Sequence, residues 1–224
     1  MDVEEIKKRM AKELEEYRSI IQGTDLYDYM GHRVVESRTT SGNLVAVKKH
    51  EAIRSRNDAS GVIAMVTDRV PGESLDKVWH ALTKPQKKNI ELQLKQQVQE
   101  MRKHTQPYIG QEDFDEWCFA RVKFSYQKAF WKRYLPRMRN KKPSKFVLTH
   151  GDLAARNIMV KDGQLTDIVD WEYSGFFPEY MEYALATVIH DGIEDWWLPV
   201  LKRVLEPSGY LRSKFIATIK DRGW

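Results

Sequence analysis

The sequence contains a single cysteine, Cys118, among its 224 residues. An intrachain disulfide and a zinc site built from several cysteines are therefore excluded, and a reducing, intracellular setting is expected. No uncharged stretch reaches the roughly 18 to 20 apolar residues that a membrane helix needs, and the mean hydropathy is −0.61. The first ten residues mix acids with bases and lack the apolar run of an export signal. These absences predict a soluble, cytoplasmic protein without a membrane partner.

Lysine and arginine are absent from residues 162–201, a stretch that carries nine acidic side chains. The whole chain nevertheless has a net charge of +5, so the rest of it is strongly basic. Such segregation predicts an acidic surface or cleft beside a basic body. A nucleic-acid binder usually shows a basic stripe interleaved with aromatic residues, or a recognisable module, and the sequence contains neither. A nucleic-acid partner is therefore not expected.

The N-terminal part of the chain combines one helical pattern with β-rich runs. Apolar residues at steps of three and four predict a helix over residues 3–21, which either packs on the protein body or self-associates. Residues 32–47 predict a β-hairpin with its turn near Gly42, and residues 62–70 predict a further strand closed by Pro71 and Gly72.

Helical patterns dominate from Thr83 onwards. Thr83 is a predicted N-cap, and Pro85 in the first turn begins a long helix that ends before Pro107. A second helix is predicted from about residue 113 to 139, broken near Pro136. Short strands are predicted over residues 146–149, 158–160 and 165–169, and helices follow Pro178. The order of elements favours an α+β fold.

The most informative segment places polar residues within this β-rich frame. It contains His150, Asp152 and Asn157 on a loop between two strands, and Asp170 at the end of the next strand. A carboxylate and an amide oxygen are hard donors that suit Mg²⁺, and a further carboxylate could orient and deprotonate a hydroxyl. This division of labour is typical of phosphoryl transfer. A buried aspartate in a loop can alternatively serve only to satisfy backbone donors.

These motifs resemble those of the aminoglycoside phosphotransferase and choline kinase group, which are small-molecule kinases with a protein-kinase-like fold. The segment from His150 to Val160, followed by Asp170-Trp171-Glu172, is especially similar to phosphotransferase-domain proteins of filamentous fungi, and the similarity extends back to about residue 62. The resemblance implies a two-lobe fold with a reduced β-rich N-lobe, residues 1–70, and a mainly helical C-lobe, residues 71–224.

The resemblance also implies roles for individual residues. Asp152 would be the catalytic base or hydroxyl-orienting group, and Asn157 and Asp170 would bind Mg²⁺. The main chain of Asp68, Arg69 and Val70 would hold the adenine of ATP. His150 would brace the catalytic loop, and Glu172 would either touch a second metal through water or remain a surface carboxylate. The lysine that protein kinases place two residues after the catalytic aspartate is replaced by Ala154, which favours a small-molecule acceptor.

Lys48 lies in the sequence setting of the family's phosphate-binding lysine, although a solvated strand end is the other interpretation. Only about 17 residues separate it from Met65, and its first candidate partner, Glu51, allows at most a shortened helix over residues 51–55. No G-x-G-x-x-G motif is present. The sequence therefore predicts an ATP- and Mg²⁺-dependent phosphotransferase, or alternatively a catalytically impaired kinase-like binding or scaffold protein.

The acidic stretch is also rich in aromatic residues. Carboxylates and aromatic faces together suit an amine or quaternary ammonium acceptor, whereas the alternative is that most of these rings belong to the core. The rings concerned are Trp171, Tyr173, Phe176, Phe177, Tyr180, Tyr183, Trp196 and Trp197. The expected partner is a small molecule, and the sequence leaves the oligomeric state open.

Overall fold

The computed structural model describes residues 23–29, 32–49, 64–107, 110–122, 124–138, 145–189, 195–205, 214–215 and 218–219. The chain divides into two compact units, Met1–Val70 and Pro71–Trp224. The predicted N-terminal helix and the segment around Glu51 lie outside the described residues. No helix of the described part is long and apolar enough to cross a membrane.

The first unit contains a four-stranded antiparallel sheet in the order β1-β2-β3-β4. The strands are β1 (Thr24–Tyr29), β2 (His32–Arg38), β3 (Leu44–Lys49) and β4 (Ala64–Asp68). The predicted hairpin is confirmed as β2 and β3, and Gly42 in its turn has a φ of 87°, which favours glycine. The strand β1 was not predicted, because its segment TDLYDY is as polar as a loop.

The second unit begins with the short strand β5 (Glu73–Ser74) and then becomes mainly helical. Its helices are α1 (Leu75–Val78), α2 (Lys84–Met101), α3 (Gln111–Ala120), α4 (Ser125–Tyr134), α5 (Met181–Ile189) and α6 (Trp197–Val204). The predicted N-cap of α2 is confirmed, since Thr83 and Gln86 form a capping box, and the helix ends before Pro107 as expected.

The single helix predicted over residues 113–139 is wrong, because the chain breaks into α3 and α4 between Ala120 and Ser125. Val122 is buried at this break. The turn brings aromatic rings of both helices onto Phe215: the ring centroid of Phe119 lies 5.6 Å from that of Phe215, and the centroid of Trp131 lies 5.3 Å from it. A continuous helix would separate these two rings along its axis, so tertiary packing decides the break.

Two small antiparallel sheets interrupt the helices. The strand β6 (Phe146–Thr149) pairs with β9 (Gly175–Pro178), and β7 (Ile158–Lys161) pairs with β8 (Gln164–Ile168) and with β5. The predicted strands β6, β7 and β8 are confirmed, whereas β5 and β9 were not predicted. Asp162 and Gly163 join β7 to β8 with φ angles of 53° and 73°, the positive values that a type I′ hairpin turn requires.

The main core of the second unit lies between α2, α6 and the β7–β8 hairpin. α2 contributes Ile90, Leu94 and Val98, and α6 contributes Val200 and Leu201. The same cluster includes Leu153 and Ala155, which lie on the loop between β6 and β7. That loop is therefore fixed by apolar anchors that alternate with its polar residues.

Candidate active site

The candidate site is built from the loop that joins β6 to β7 and from the residues that follow β8. Asn157 immediately precedes β7, and Asp170 lies two residues after the end of β8. Ile158 pairs with Ile168, and the Val169 N–H donates to the Asn157 carbonyl over 2.9 Å. Asn157 and Asp170 therefore lie at the same end of the β7–β8 hairpin, as the sequence pattern predicted.

Asp152 is buried and receives two side-chain donors on one carboxylate oxygen. Asn157 Nδ2 donates to Asp152 Oδ2 over 3.0 Å and to the Asp152 carbonyl over 2.8 Å. The Arg156 guanidinium forms an ion pair with the same Oδ2. Because both donors contact Oδ2, the carboxylate is fixed in orientation, and Oδ1 is the oxygen that can face an incoming hydroxyl.

His150 is fully buried and connects the loop to the segment before Asp170. The Asp152 N–H donates to His150 Nδ1 over 3.3 Å, and His150 Nε2 lies 2.9 Å from the carbonyl oxygen of Val169. Since a backbone N–H can only donate and a carbonyl can only accept, the proton of the neutral ring lies on Nε2. Burial lowers the pKa of His150 and so favours this neutral form. Both ring nitrogens are engaged in bracing.

Glu182, on α5, was missed as a site residue by the sequence analysis. Its carboxylate is buried, and it accepts hydrogen bonds from the backbone N–H of His150 over 2.6 Å and from the backbone N–H of Gly151 over 3.2 Å. Burial raises the pKa of Glu182 to about 7, although these two donors and the charge of Arg102 act in the opposite direction. The available signal was a single acid inside the otherwise apolar segment of α5. Its burial removes Glu182 from the acidic surface or cleft predicted for residues 162–201.

Gly151 and Asp170 adopt backbone conformations that restrict which residue can occupy each position. Gly151 has a φ of 86°, and a Cβ there would lie 2.4 Å from the Tyr173 carbonyl oxygen, so no larger residue fits. Asp170 adopts the left-handed conformation, with φ 67° and ψ 59°, although it is not glycine. Such a conformation costs about 1–2 kcal/mol and is concentrated at functional sites. The fold therefore holds the Asp170 side chain at this position against a local preference.

Two tryptophans support the loop from outside. The Trp171 ring lies edge-on to the His150 ring, with centroids 4.7 Å apart, and its Nε1 donates to the Ile168 carbonyl over 2.7 Å. The Trp197 Nε1 on α6 donates to the Leu153 carbonyl over 3.3 Å. These contacts attach the loop to the β8 end and to α6, so its geometry depends on the core of the unit.

The donors at the hairpin end fit a magnesium ion. Asn157 uses its Nδ2 group for Asp152, so its Oδ1 points away from that carboxylate, and Asp170 contributes a carboxylate at the same end. Mg²⁺ is usually held by one or two such protein oxygens together with waters and phosphate oxygens. The described residues contain no cluster of three His, Cys, Asp or Glu side chains. These two donors would therefore leave most coordination positions of the metal to waters and substrate oxygens.

The residues predicted to bind ATP from the first unit lie on β3 and at the end of β4. Lys48 pairs with Val34 on β2 and with Met65 on β4. Asp68 ends β4, and the Arg69 N–H that follows donates to the Leu44 carbonyl over 3.3 Å. Arg69 also pairs with Glu36 over 3.0 Å and donates to the Val70 carbonyl. The Arg69 N–H therefore completes the sheet, which argues against this N–H as an adenine contact.

The family model described as the phosphotransferase enzyme family, abbreviated APH, matches residues 38–213. The chain belongs to this phosphotransferase family. The match begins at the last residue of β2 and covers β3, the loop between β6 and β7, the β7–β8 hairpin and both tryptophan supports. The resemblance inferred from the sequence motifs is thereby confirmed. No curated protein matches the sequence.

Solved structures show the fold of this family member. A thermostable mutant of the aminoglycoside phosphotransferase APH(4)-Ia, in its apo form, is 13% identical, with a TM-score of 0.56 over 92% of this chain and 86% of that chain. The streptomycin–ATP complex of APH(2″)-IIa is 12% identical, with a TM-score of 0.49 over 91% and 82% of the two chains. The choline kinase LicA from Streptococcus pneumoniae is 13% identical, with a TM-score of 0.49 over 95% and 87%. The predicted protein-kinase-like α+β fold is confirmed.

The aromatic residues of the acidic stretch divide into two groups. Trp197 is buried, and Trp196 stacks on Trp79 with ring centroids 4.5 Å apart. Partly buried side chains packed against the core are those of Trp196, Phe177, Tyr180 and Tyr183. Trp171, Tyr173 and Phe176 remain exposed, directly after Asp170. This second group presents its rings to solvent, where a ligand can contact them.

Proposed function

We propose that this protein is an ATP- and Mg²⁺-dependent phosphotransferase that phosphorylates a hydroxyl group of a small, amine-bearing molecule. The observation that carries the proposal is the geometry of the Asp152 carboxylate. Asn157 and Arg156, on the same loop, both bind its Oδ2 and leave Oδ1 to face an acceptor. Family membership supports phosphoryl transfer in general. The nature of the nucleotide, the metal and the acceptor is inferred from the residues of the site.

Asp152 would orient the acceptor hydroxyl through Oδ1 and accept its proton as the new oxygen–phosphorus bond forms. Asn157 Nδ2 and Arg156 fix Oδ2, so the carboxylate loses no orientation entropy when the acceptor binds. Arg156 is about a third exposed along its side chain, unlike the buried Asp152. Its guanidinium therefore has further N–H groups that can neutralise charge on a phosphoryl group.

Asn157 Oδ1 and the Asp170 carboxylate would hold Mg²⁺, which supplies charge neutralisation to the phosphates when it is bound. The His150 bridge keeps these two ligands in register with Asp152, because it connects the Asp152 N–H to the Val169 carbonyl next to Asp170. Lys48 and the main chain of Asp68, Arg69 and Val70, apart from the Arg69 N–H, remain the proposed nucleotide-binding groups of the first unit.

The acceptor would be recognised by the exposed rings after Asp170. Trp171 and Tyr173 lie on one short turn, and Glu172 between them is also exposed. An ammonium group is attracted to an aromatic face by about 0.5–2 kcal/mol and to a carboxylate by its charge. Among similar structures, one contains streptomycin and another is named a choline kinase, and both names refer to amine-bearing molecules.

A thermal unfolding series with ATP and Mg²⁺ tests nucleotide binding. A ligand that binds only the folded state stabilises it by about 2.7 kcal/mol at 100 times its Kd. We expect the midpoint to rise with Mg·ATP and not with Mg²⁺ alone. ADP release should then be assayed with choline, amino alcohols and aminoglycosides, with uncharged polyols as the matched acceptors. Equal turnover of charged and uncharged acceptors would contradict the proposed specificity for amines but not the phosphotransferase activity.

The Asp152→Asn variant tests the mechanism. The amide keeps the shape of the side chain but cannot accept the hydroxyl proton, and loss of a positioned base costs about 10² to 10⁴ in rate. We expect kcat to fall by this factor while the Mg·ATP stabilisation persists. Asp162→Asn is the matched control, since Asp162 is an exposed turn residue. Turnover of Asp152→Asn at the parental rate would remove Asp152 from the mechanism.

A catalytically impaired kinase-like binding protein is the second candidate. The observation that favours it is the direct pairing of Lys48 on β3 with Met65 on β4, which leaves a short connection between these strands. The hydrogen bond from the Arg69 N–H to the Leu44 carbonyl also favours this alternative, because that N–H is not free to bind adenine. Under this alternative, Mg·ATP would leave the unfolding midpoint unchanged and no acceptor would release ADP.

A further inference from the structure

The helix α4 exposes a stripe of aromatic rings. Its inner face carries Trp131, which is buried. Its outer face carries Tyr126, Phe130 and Tyr134 at steps of four residues, and these side chains remain 68%, 46% and 38% exposed. Residues at this spacing lie above one another on a helix, so the rings form one continuous stripe. A large exposed apolar patch of this kind commonly marks an interaction surface.

Positive charge predominates around this stripe; on α4 itself, Lys132 is paired with Glu116 of α3, with Nζ 3.1 Å from Oε1. Arg133 is seven residues from Tyr126, which puts it on the outer face of α4. Arg137 lies in the 3-10 turn Leu135–Met138 that follows the helix. The Arg137 guanidinium lies 5.8 Å from the centroid of the Tyr134 ring. In the sequence, residues 117–151 contain ten lysines and arginines and no Asp or Glu. A partner for this face must therefore combine negative charge with an apolar layer.

We propose that the outer face of α4 binds the surface of an anionic lipid bilayer. Interfacial helices place aromatic rings at the boundary of headgroups and acyl chains, and their basic residues contact anionic headgroups. The ring stripe supplies the first component, and Arg133 and Arg137 supply the second. The proposal does not depend on the phosphotransferase activity, because none of these residues belongs to the catalytic loop.

The shape of the face favours a bilayer over a folded protein partner. The stripe from Tyr126 to Tyr134 extends over about 12 Å, from the rise per residue of a helix. A stable protein interface needs roughly 800 Å² on each partner, much more than one such helix face provides. A bilayer needs no matching shape, since the rings only have to enter its interfacial layer.

The arrangement of the rings also disfavours stacking on nucleic-acid bases. The Phe124 and Tyr126 rings are stacked on each other with centroids 5.6 Å apart, and the Phe130 and Tyr134 centroids are 4.5 Å apart. Each of the four rings thus already has a neighbour against one face, whereas base-binding platforms present open faces. The earlier expectation of no membrane partner rested on the lack of a spanning segment and does not bear on surface binding.

Vesicle sedimentation with the full chain tests the proposal. The probes are vesicles of phosphatidylcholine mixed with phosphatidylserine, and vesicles of phosphatidylcholine alone. We expect binding to the mixed vesicles, weakened by salt, and little binding to the neutral ones. Arg133→Gln with Arg137→Gln should weaken binding by about fivefold per arginine. The triple variant Tyr126→Ser, Phe130→Ser, Tyr134→Ser should weaken it by about tenfold or more.

Leu92→Ser is the matched control, because Leu92 is an exposed apolar residue of α2 that lies outside the stripe. Its binding should equal that of the parent. The arginine variant keeps every ring and keeps the test decisive if the triple variant fails to fold, which thermal unfolding would show. Parental binding by the arginine variant would overturn the proposal. The proposal would also be overturned if the parent protein bound a single-stranded oligonucleotide or polyglutamate and did not bind the mixed vesicles.

Discussion

Replacing Glu182 by glutamine changes one atom of the residue that holds the catalytic loop. In the parent, Oε2 accepts the His150 N–H over 2.6 Å and Oε1 accepts the Gly151 N–H over 3.2 Å. Glutamine keeps one acceptor, and its amide group would face the other N–H donor. One buried N–H is then left without a partner, which costs about 1–3 kcal/mol. We expect Glu182→Gln to be destabilised and to lose turnover, since the catalytic loop begins at these two residues.

The same substitution removes a titrating group, and the sign of the pH effect follows from its shifted pKa. Burial raises the pKa of Glu182 from 4.5 to about 7, so the folded state binds the proton more tightly than the unfolded state does. The free energy of unfolding of the parent therefore falls as pH rises from the unfolded pKa to the folded pKa, and levels off above it. At 1.36 kcal/mol per pKa unit, the total change is about 3 kcal/mol.

Urea unfolding followed by tryptophan fluorescence, between about pH 5 and pH 8, measures this difference. The free energy of unfolding of the parent minus that of Glu182→Gln should decrease across this range. Glu179→Gln is the matched control, because Glu179 is an exposed neighbour, and it should follow the parent at every pH. A difference between parent and Glu182→Gln that stays constant with pH would refute the raised pKa.

Three further substitutions test the site. Asp170→Asn removes a charge from the metal ligands and should weaken Mg²⁺ dependence and nucleotide binding together; superimposable Mg²⁺ titrations would contradict this role. Lys48→Met should raise the KM for ATP and lower kcat without unfolding the protein, whereas an unchanged KM would leave Lys48 as a solvated strand end. Gly151→Ala should destabilise the protein more than Gly42→Ala, because φ is 86° and 87° at the two positions but only the first Cβ meets backbone; equal thermal midpoints would refute this.

The arrangement of the candidate site was predictable because its residues lie close together in the sequence. His150, Asp152 and Asn157 fall within eight residues of one loop. Asp170 is connected to them by a hairpin whose turn is encoded locally by Asp162 and Gly163. Short-range patterns of this kind specify strands, turns and the loop between them. The N-cap of α2 at Thr83 was predictable for the same reason, since a capping box depends on residues three apart.

The support of the site was decided only by tertiary structure. Glu182 lies 32 residues from the His150 amide that it binds, and its position as the one acid of an otherwise apolar helix indicates burial without indicating that partner. The break between α3 and α4 likewise depends on Phe215, far along the chain. Such contacts form when separate elements pack. The periodicity of a segment indicates which of its residues are buried but not which distant residue each of them contacts. The sequence by itself therefore determined which polar residues meet at the candidate site, and the packing of α5 against the loop determined how they are held.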